Sequence, residues 1–207
     1  MSEKKVPLTD LNLNFIIYIN SLCSNLNKQY VFNQKVGFKQ ITIYLIKLNY
    51  NIILNLKELN IFSFKTLNDF TAVNYPGFFK EFELHYFLLS YKLSTKCSLK
   101  YFINKEDLVL SFINVYDNSN WLEREVWDLY GVKFIYHKDL RRILTDYGFV
   151  GHPLLKMYPL TGFVELRYDD SSDKIVKEKI ELTQAFRFFN FFNPWFKPNT
   201  NTKNNIR

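Results

Sequence analysis

The sequence predicts an α+β fold: a mixed, largely antiparallel sheet packed with helices, followed by an extended C-terminal arm. Three observations point there. Helical and strand periodicities alternate irregularly, without the βαβ rhythm of a doubly wound sheet. Two strand-like runs, at 82–89 and 97–101, are close enough to form an antiparallel hairpin. Past His137 both periodicities fade, although the chain stays rich in Phe, Tyr, Leu and Arg.

Each element has a local reason. Leu11, Phe15, Ile19, Leu22 and Leu26 recur at helical spacing, and Thr9 or Asp10 can cap that helix. Residues 41–46 are β-branched and apolar, which predicts a strand. Ile52, Leu56 and Leu59 return to helical spacing within 48–59. Residues 67–75 read as a strand, ended by the turn signal Pro76-Gly77. Phe82, Leu84, Tyr86 and Leu88 alternate with Glu83, His85, Phe87 and Leu89, a second set apolar enough to place the strand centrally. Cys97, Leu99 and Tyr101 alternate with Ser98 and Lys100, which predicts one wet face. Residues 106–115 are expected as a short helix.

The helix over 118–131 is the best punctuated. Asn120 stands at the expected N-cap, with Glu123 three residues later as in a capping box. Leu122, Val126 and Leu129 form its apolar stripe, Trp127 is expected in the core, and Gly131 is a natural left-handed terminator. Arg124 and Asp128 lie four apart on one face. Residues 132–136 then read as a closing strand. The expected organisation is an α+β domain over 1–137, an extended partner-binding arm over 138–198 and a disordered tail over 199–207.

Composition narrows the function. Of 207 residues, 47% are hydrophobic and 18% aromatic, which supports a real core and excludes a disordered chain. The formal net charge is +7, but the lysines are dispersed. A basic nucleic-acid binder, the reading from another class, predicts clustered Lys and Arg interleaved with aromatics. The cysteines, Cys23 and Cys97, are expected as separate buried thiols. The apolar runs are too short to span a bilayer. The start MSEKKVPLTD lacks the look of a cleaved presequence, and the Asn, Lys, Ile and Phe bias suits an AT-rich organelle genome.

No arginine precedes Asn120, whereas Arg124, Arg141, Arg142, Arg167 and Arg187 follow it, as do all three tryptophans. Arginine grips carboxylates bidentately and tolerates burial better than lysine, so this region needs geometry as well as charge. Catalytic signatures are missing: there is no G-x-G-x-x-G, Walker A loop, C-x-x-C or nucleophile elbow. His85, His137 and His152 lack metal-site spacing and are expected to be structural or interfacial. No catalytic, cofactor-binding or metal-binding residue is assigned. Asp139, Arg141, Arg142 and Asp146, flanked by Leu140, Ile143, Leu144 and Tyr147, are expected as charges desolvated at a subunit interface. His152, Arg167, Tyr168 and Trp195 join that partner-facing set, Trp195 as an aromatic anchor with Phe191, Phe192 and Phe196. Gly148 and Gly151 are expected to serve backbone turns. With Glu123, Arg124, Trp127, Asp128 and Gly131 they form the structural set.

The stretch over 120–170 resembles the signature of the 30 kDa subunit of respiratory complex I, called subunit 9 in mitochondrial genomes and present also in the bacterial NADH-quinone oxidoreductase. The residues that carry it are Glu123-Arg124-Glu125, Asp128-Leu129-Tyr130, His137, Arg141, Ile143 and Leu144, then LTDYGFVGHP, PLTG and ELRYDD. Upstream, DFTAVNYP resembles the family's strand and turn, with Asn74 where aspartate is usual. Leu155 and Met157 flank Lys156 where the family usually carries arginine and aspartate, which puts any ion pairs made there in doubt. The resemblance implies a non-catalytic structural subunit of the hydrophilic arm of NADH:ubiquinone oxidoreductase, an enzyme that couples electron transfer to proton translocation. It implies no cofactor in this chain, with FMN and iron–sulfur clusters in partner subunits. The implied partners are the 49 kDa subunit and the subunit that holds the terminal iron–sulfur cluster. The implied place is the matrix side of the mitochondrial inner membrane, with a plastid or bacterial homologue as the alternative.

Overall fold

A computed structural model describes residues 31–37, 40–46, 48–58, 63–92 and 94–189. The expected helix over 11–26, Cys23, Trp195 with its neighbouring phenylalanines, and the 199–207 tail lie outside these described residues. The chain divides into two compact units, Met1–Thr161 and Gly162–Arg207.

The first unit is built on a five-stranded sheet of β1 (Val31–Gly37), β2 (Gln40–Leu45), β3 (Thr66–Asn74), β4 (Phe82–Ser90) and β5 (Thr95–Ile103). The spatial order is β1-β2-β5-β4-β3. Only the β2–β5 pair is parallel; the other three are antiparallel, so the sheet is mixed and largely antiparallel as the sequence predicts. Helix α1 (Tyr50–Glu58) lies in the crossover that this parallel pair requires. Its Ile52, Ile53 and Leu56 join Ile43, Phe70, Leu84, Tyr86, Leu88 and Leu99 in one core. The alternation in β4 is therefore a core face and a second, half-covered face.

That second face is drier than predicted. Ser98 is buried, and Lys100 pairs with Glu83 at 3.2 Å beside His85. Cys97, on the core side, is a buried free thiol as expected. The expected helix over 106–115 does not form. Its apolar residues instead make a short strand, β6 (Val109–Leu110), and turns that bury Phe112 and Val115. The expected strand over 132–136 shortens to β7 (Phe134–Ile135), which pairs in parallel with β6 and stays out of the main sheet.

Between β6 and β7 runs helix α2 (Ser119–Tyr130), packed against β3. Residues 138–161, expected to open the arm, belong to the first unit. The second unit holds an antiparallel hairpin of β8 (Val164–Asp169) and β9 (Lys174–Lys179), where the sequence predicts only an extended arm.

Candidate functional site: a loop folded around Asp128

Helix α2 begins earlier than the capping-box reading expects. Asn118 takes the N-cap position but makes no side-chain cap bond. Its side-chain amide instead donates to the carbonyl of Leu67. Glu123 does not reach back to Asn120; its Oε1 accepts the Phe112 N–H at 2.8 Å. The capping box is therefore absent, because both polar side chains tie the helix to neighbouring chain.

The expected Arg124–Asp128 pair is not made either. Arg124 donates through Nε to the Arg141 carbonyl at 3.2 Å and stacks its guanidinium over Trp121. Asp128 is fully buried and turns to the loop after β7. Its Oδ2 accepts the backbone N–H groups of Ile143, Leu144 and Thr145 at 3.1, 2.8 and 3.0 Å. Its Oδ1 accepts the Thr145 hydroxyl at 2.6 Å and Arg142 Nη1 at 2.8 Å. Three successive N–H groups around one carboxylate make an anion nest, and the guanidinium supplies the countercharge.

Burial opposes ionisation of Asp128. The Thr145 hydroxyl, the Thr145 and Leu144 N–H groups and Arg142 outweigh it and hold the carboxyl well below the usual range. Arg142 in turn reaches the Gly151 carbonyl at 2.8 Å through Nη2 and lies over the rings of Trp127 and Phe149. His152 Nδ1 meets the Asp128 carbonyl at 2.9 Å, and the Leu154 N–H donates to the Leu129 carbonyl at 3.1 Å. The Lys156 N–H donates to Asn74 Oδ1 at 3.1 Å, fastening the far end of the loop to β3.

Two glycines make this closeness possible. Gly131 ends α2 in the left-handed region, and a Cβ there would sit 2.7 Å from the His152 ring. Gly151 has φ of +102°, and a Cβ there would sit 2.8 Å from the Tyr158 ring. Gly148 is also left-handed, at +67°.

The anticipated charge cluster thus separates. Arg142 and His152, grouped with the partner-facing residues in the sequence, are engaged within the chain. Asp139 and Arg141 form an exposed ion pair at 3.0 Å, and Asp146 is exposed, accepting the Tyr147 N–H at 2.8 Å. Tyr147 is 96% exposed, and Val150, Met157 and Leu160 each exceed 80%. Of the two apolar residues beside Lys156, Leu155 packs against the core whereas Met157 faces outward. Trp127 is half-buried against the core. His137 meets the Asn120 carbonyl at 3.3 Å. In the second unit Arg167 pairs with Glu178 at 2.8 Å, and Tyr168 OH donates to Asp173 at 3.2 Å. Sequence reasoning misses Thr145 and Asn74 as anchoring residues. Thr145, four residues after Arg141, carries no periodicity that marks it, and Asn74 stands out only as a departure from the family pattern. Among the described residues no group of three His, Cys, Asp or Glu is placed to hold a metal ion, and no helix is long and apolar enough to cross a membrane.

Comparison with known proteins covers this region. Residues 49–164 match the family model described as the 30 kDa subunit of respiratory-chain NADH dehydrogenase. NADH-ubiquinone oxidoreductase subunit 9 of Reclinomonas americana is 48% identical over 145 residues, 68% of this chain and 71% of that protein. NADH-ubiquinone oxidoreductase subunit 9 of Acanthamoeba castellanii is 47% identical over 148 residues, 72% of this chain and 75% of that protein. A chain in the structure of a membrane-bound sulfane sulfur reductase, an archaeal respiratory complex, shares the fold with a TM-score of 0.50 and 22% identity, over 65% of this chain and 79% of that one. The matched residues run through most of the sheet, α2 and the loop around Asp128, and the chain belongs to the 30 kDa subunit family of respiratory-chain NADH dehydrogenase.

Proposed function

We propose that this subunit of NADH-quinone oxidoreductase is a non-catalytic assembly piece of the peripheral arm, and that the loop held by Asp128 is its docking face. The observation that carries the reading is the contrast within residues 139–160. Backbone and buried polar groups there are tied to α2, while Tyr147, Val150, Met157 and Leu160 are held outward. Exposed apolar groups on a fixed frame lose little conformational entropy on docking. The basic nucleic-acid reading finds no support in the family match.

The finer proposals rest on the family resemblance: docking to the 49 kDa subunit and to the subunit with the terminal iron–sulfur cluster, no cofactor in this chain, and a matrix-side position in mitochondria. Relatives named as NADH-ubiquinone oxidoreductase subunit 9 favour that compartment. The arm expected over 138–198 becomes, on this reading, a fixed loop to Thr161 and a separate hairpin unit beyond it.

The test introduces a charge among the exposed apolar residues of the face. In a strain whose own copy is replaced, Val150→Asp with Met157→Asp is expected to lower the amount of assembled enzyme several-fold. NADH oxidation per assembled complex is expected to stay unchanged. Normal amounts of assembled enzyme would rule out this docking face; normal amounts with lost turnover would point to a catalytic role instead.

A further inference from the structure

A second buried polar group lies at the other end of α2, apart from the loop. Glu123 is fully buried, and only its Oε1 is satisfied, by the Phe112 N–H. Among the described residues no group completes a hydrogen bond with its Oε2, with Tyr86 OH or with Ser119 Oγ, all three buried. A buried polar atom left without a partner is unfavourable, so three in one region call for a common explanation.

They share a region through Phe112. The Phe112 ring meets the Tyr86 ring edge-on at 5.5 Å, while its backbone N–H holds the Glu123 carboxyl. Ser119 precedes Glu123 by one helical turn, which puts both on one face of α2. Burial dominates at both groups; the Glu123 charge adds to it at the Tyr86 phenol, and the Ser111 and Ser119 hydroxyls ease the Glu123 carboxylate, Ser119 without meeting full hydrogen-bond geometry.

We infer that a single internal water is bound between β4 and the first turns of α2, bridging Glu123 Oε2, Tyr86 OH and Ser119 Oγ. The donors and acceptors balance. Tyr86 donates to the water oxygen, and the water donates one hydrogen to the carboxylate and the other to Ser119. Three protein partners match what a buried structural water ordinarily has. With Glu123 neutral the same three contacts persist, the carboxylic acid donating to the water and the water donating to the two hydroxyls. The water acts as a structural ligand that pins the first turns of α2 to the sheet.

Two measurements test this. A density map of the full chain in the assembled enzyme, at a resolution that resolves ordered waters, is expected to show one peak within hydrogen-bonding distance of all three atoms. Absence of the peak, or a direct Tyr86–Glu123 hydrogen bond in its place, overturns the inference. Thermal unfolding of the full chain supplies the second. Tyr86→Phe and Ser119→Ala each remove one water contact, so the double variant is expected to lose less in Tm than the sum of the single losses, because the water is already loosened by the first change. Additive losses overturn it, since Tyr86 and Ser119 then share no bridging group.

Discussion

Asp128 shows what a carboxylate offers over an uncharged side chain. Its two oxygens serve three consecutive amides, a hydroxyl and a guanidinium, and an amide side chain has only one acceptor atom. Asp128→Ala is expected to destabilise the chain by about 3–5 kcal/mol, because Arg142 and the three N–H groups lose their acceptor in a buried setting. Asp128→Asn is expected to lose less, about 1.5–3 kcal/mol; denaturant unfolding of the two variants measures both. The two buried carboxyls also titrate oppositely. The depressed pKa of Asp128 gives stability that is present above its unfolded value and is lost as pH falls through its folded value. Glu123 has the reverse sign. Burial raises it, against relief from Ser111, the Phe112 N–H and Ser119, with Tyr86 facing it from β4. Its contribution is full below the ordinary value of 4.5 and falls as pH rises through the folded value. Glu123→Gln is neutral throughout, so the stability of wild type relative to this variant is expected to decline as pH rises from that point. Unfolding curves across pH check this, and a difference that stays flat or grows with pH contradicts it.

At the scale of elements, β2 to β5 and α1 are legible from local apolar patterning, whereas β1 is not anticipated in the sequence. Apolar residues alternate along β4 and recur every three or four positions in α1, and the structure places both as predicted. The misreadings share a different cause: long-range partners override local signals. Asn120 and Glu123 have the spacing of a capping box, but the helix starts from Asn118, whose side chain goes to the Leu67 carbonyl, and the Phe112 N–H claims Glu123. The 106–115 segment has apolar residues at near-helical spacing, yet it pairs with β7, a partner no local window contains. The β8–β9 hairpin is legible in hindsight. Val164, Leu166 and Tyr168 alternate with Glu165, Arg167 and Asp169, and the polar run Asp170-Ser171-Ser172-Asp173 marks the turn. Helix termination falls at Gly131 as expected, and for a sharper reason than its turn chemistry. A side chain there meets both a left-handed backbone and the His152 ring. Gly131→Ala is expected to cost about 1–3 kcal/mol from the backbone alone, with a further loss as His152 is pushed off the Asp128 carbonyl. Faster amide exchange at Leu154, whose N–H is held by the Leu129 carbonyl, is the local signature; unchanged exchange there would mean that the ring swings away freely.

For the whole molecule, the arginine-rich signature divides into two jobs that sequence alone merges. Arg124 and Arg142 bind the loop to α2, while Arg141, one residue from Arg142, is exposed with Asp139. Neighbouring residues in an extended segment face opposite ways, so a run of charges cannot be assigned to one surface without the fold. This division yields a contrast between two routes to the same defect. Asp128→Ala and Arg141→Ala are both expected to reduce assembled enzyme. The first does so by loosening the frame, with a lower Tm of the free chain and faster amide exchange at Ile143, Leu144 and Thr145. The second leaves Tm and exchange near wild type, since its ion pair is solvent-exposed and such pairs contribute little; its loss appears only on assembly. Thermal unfolding and exchange on the free chain, beside quantitation of the assembled complex, separate the two. If Arg141→Ala leaves assembly intact, the outward pair is solvated surface, and the docking face rests on Tyr147, Val150, Met157 and Leu160 alone.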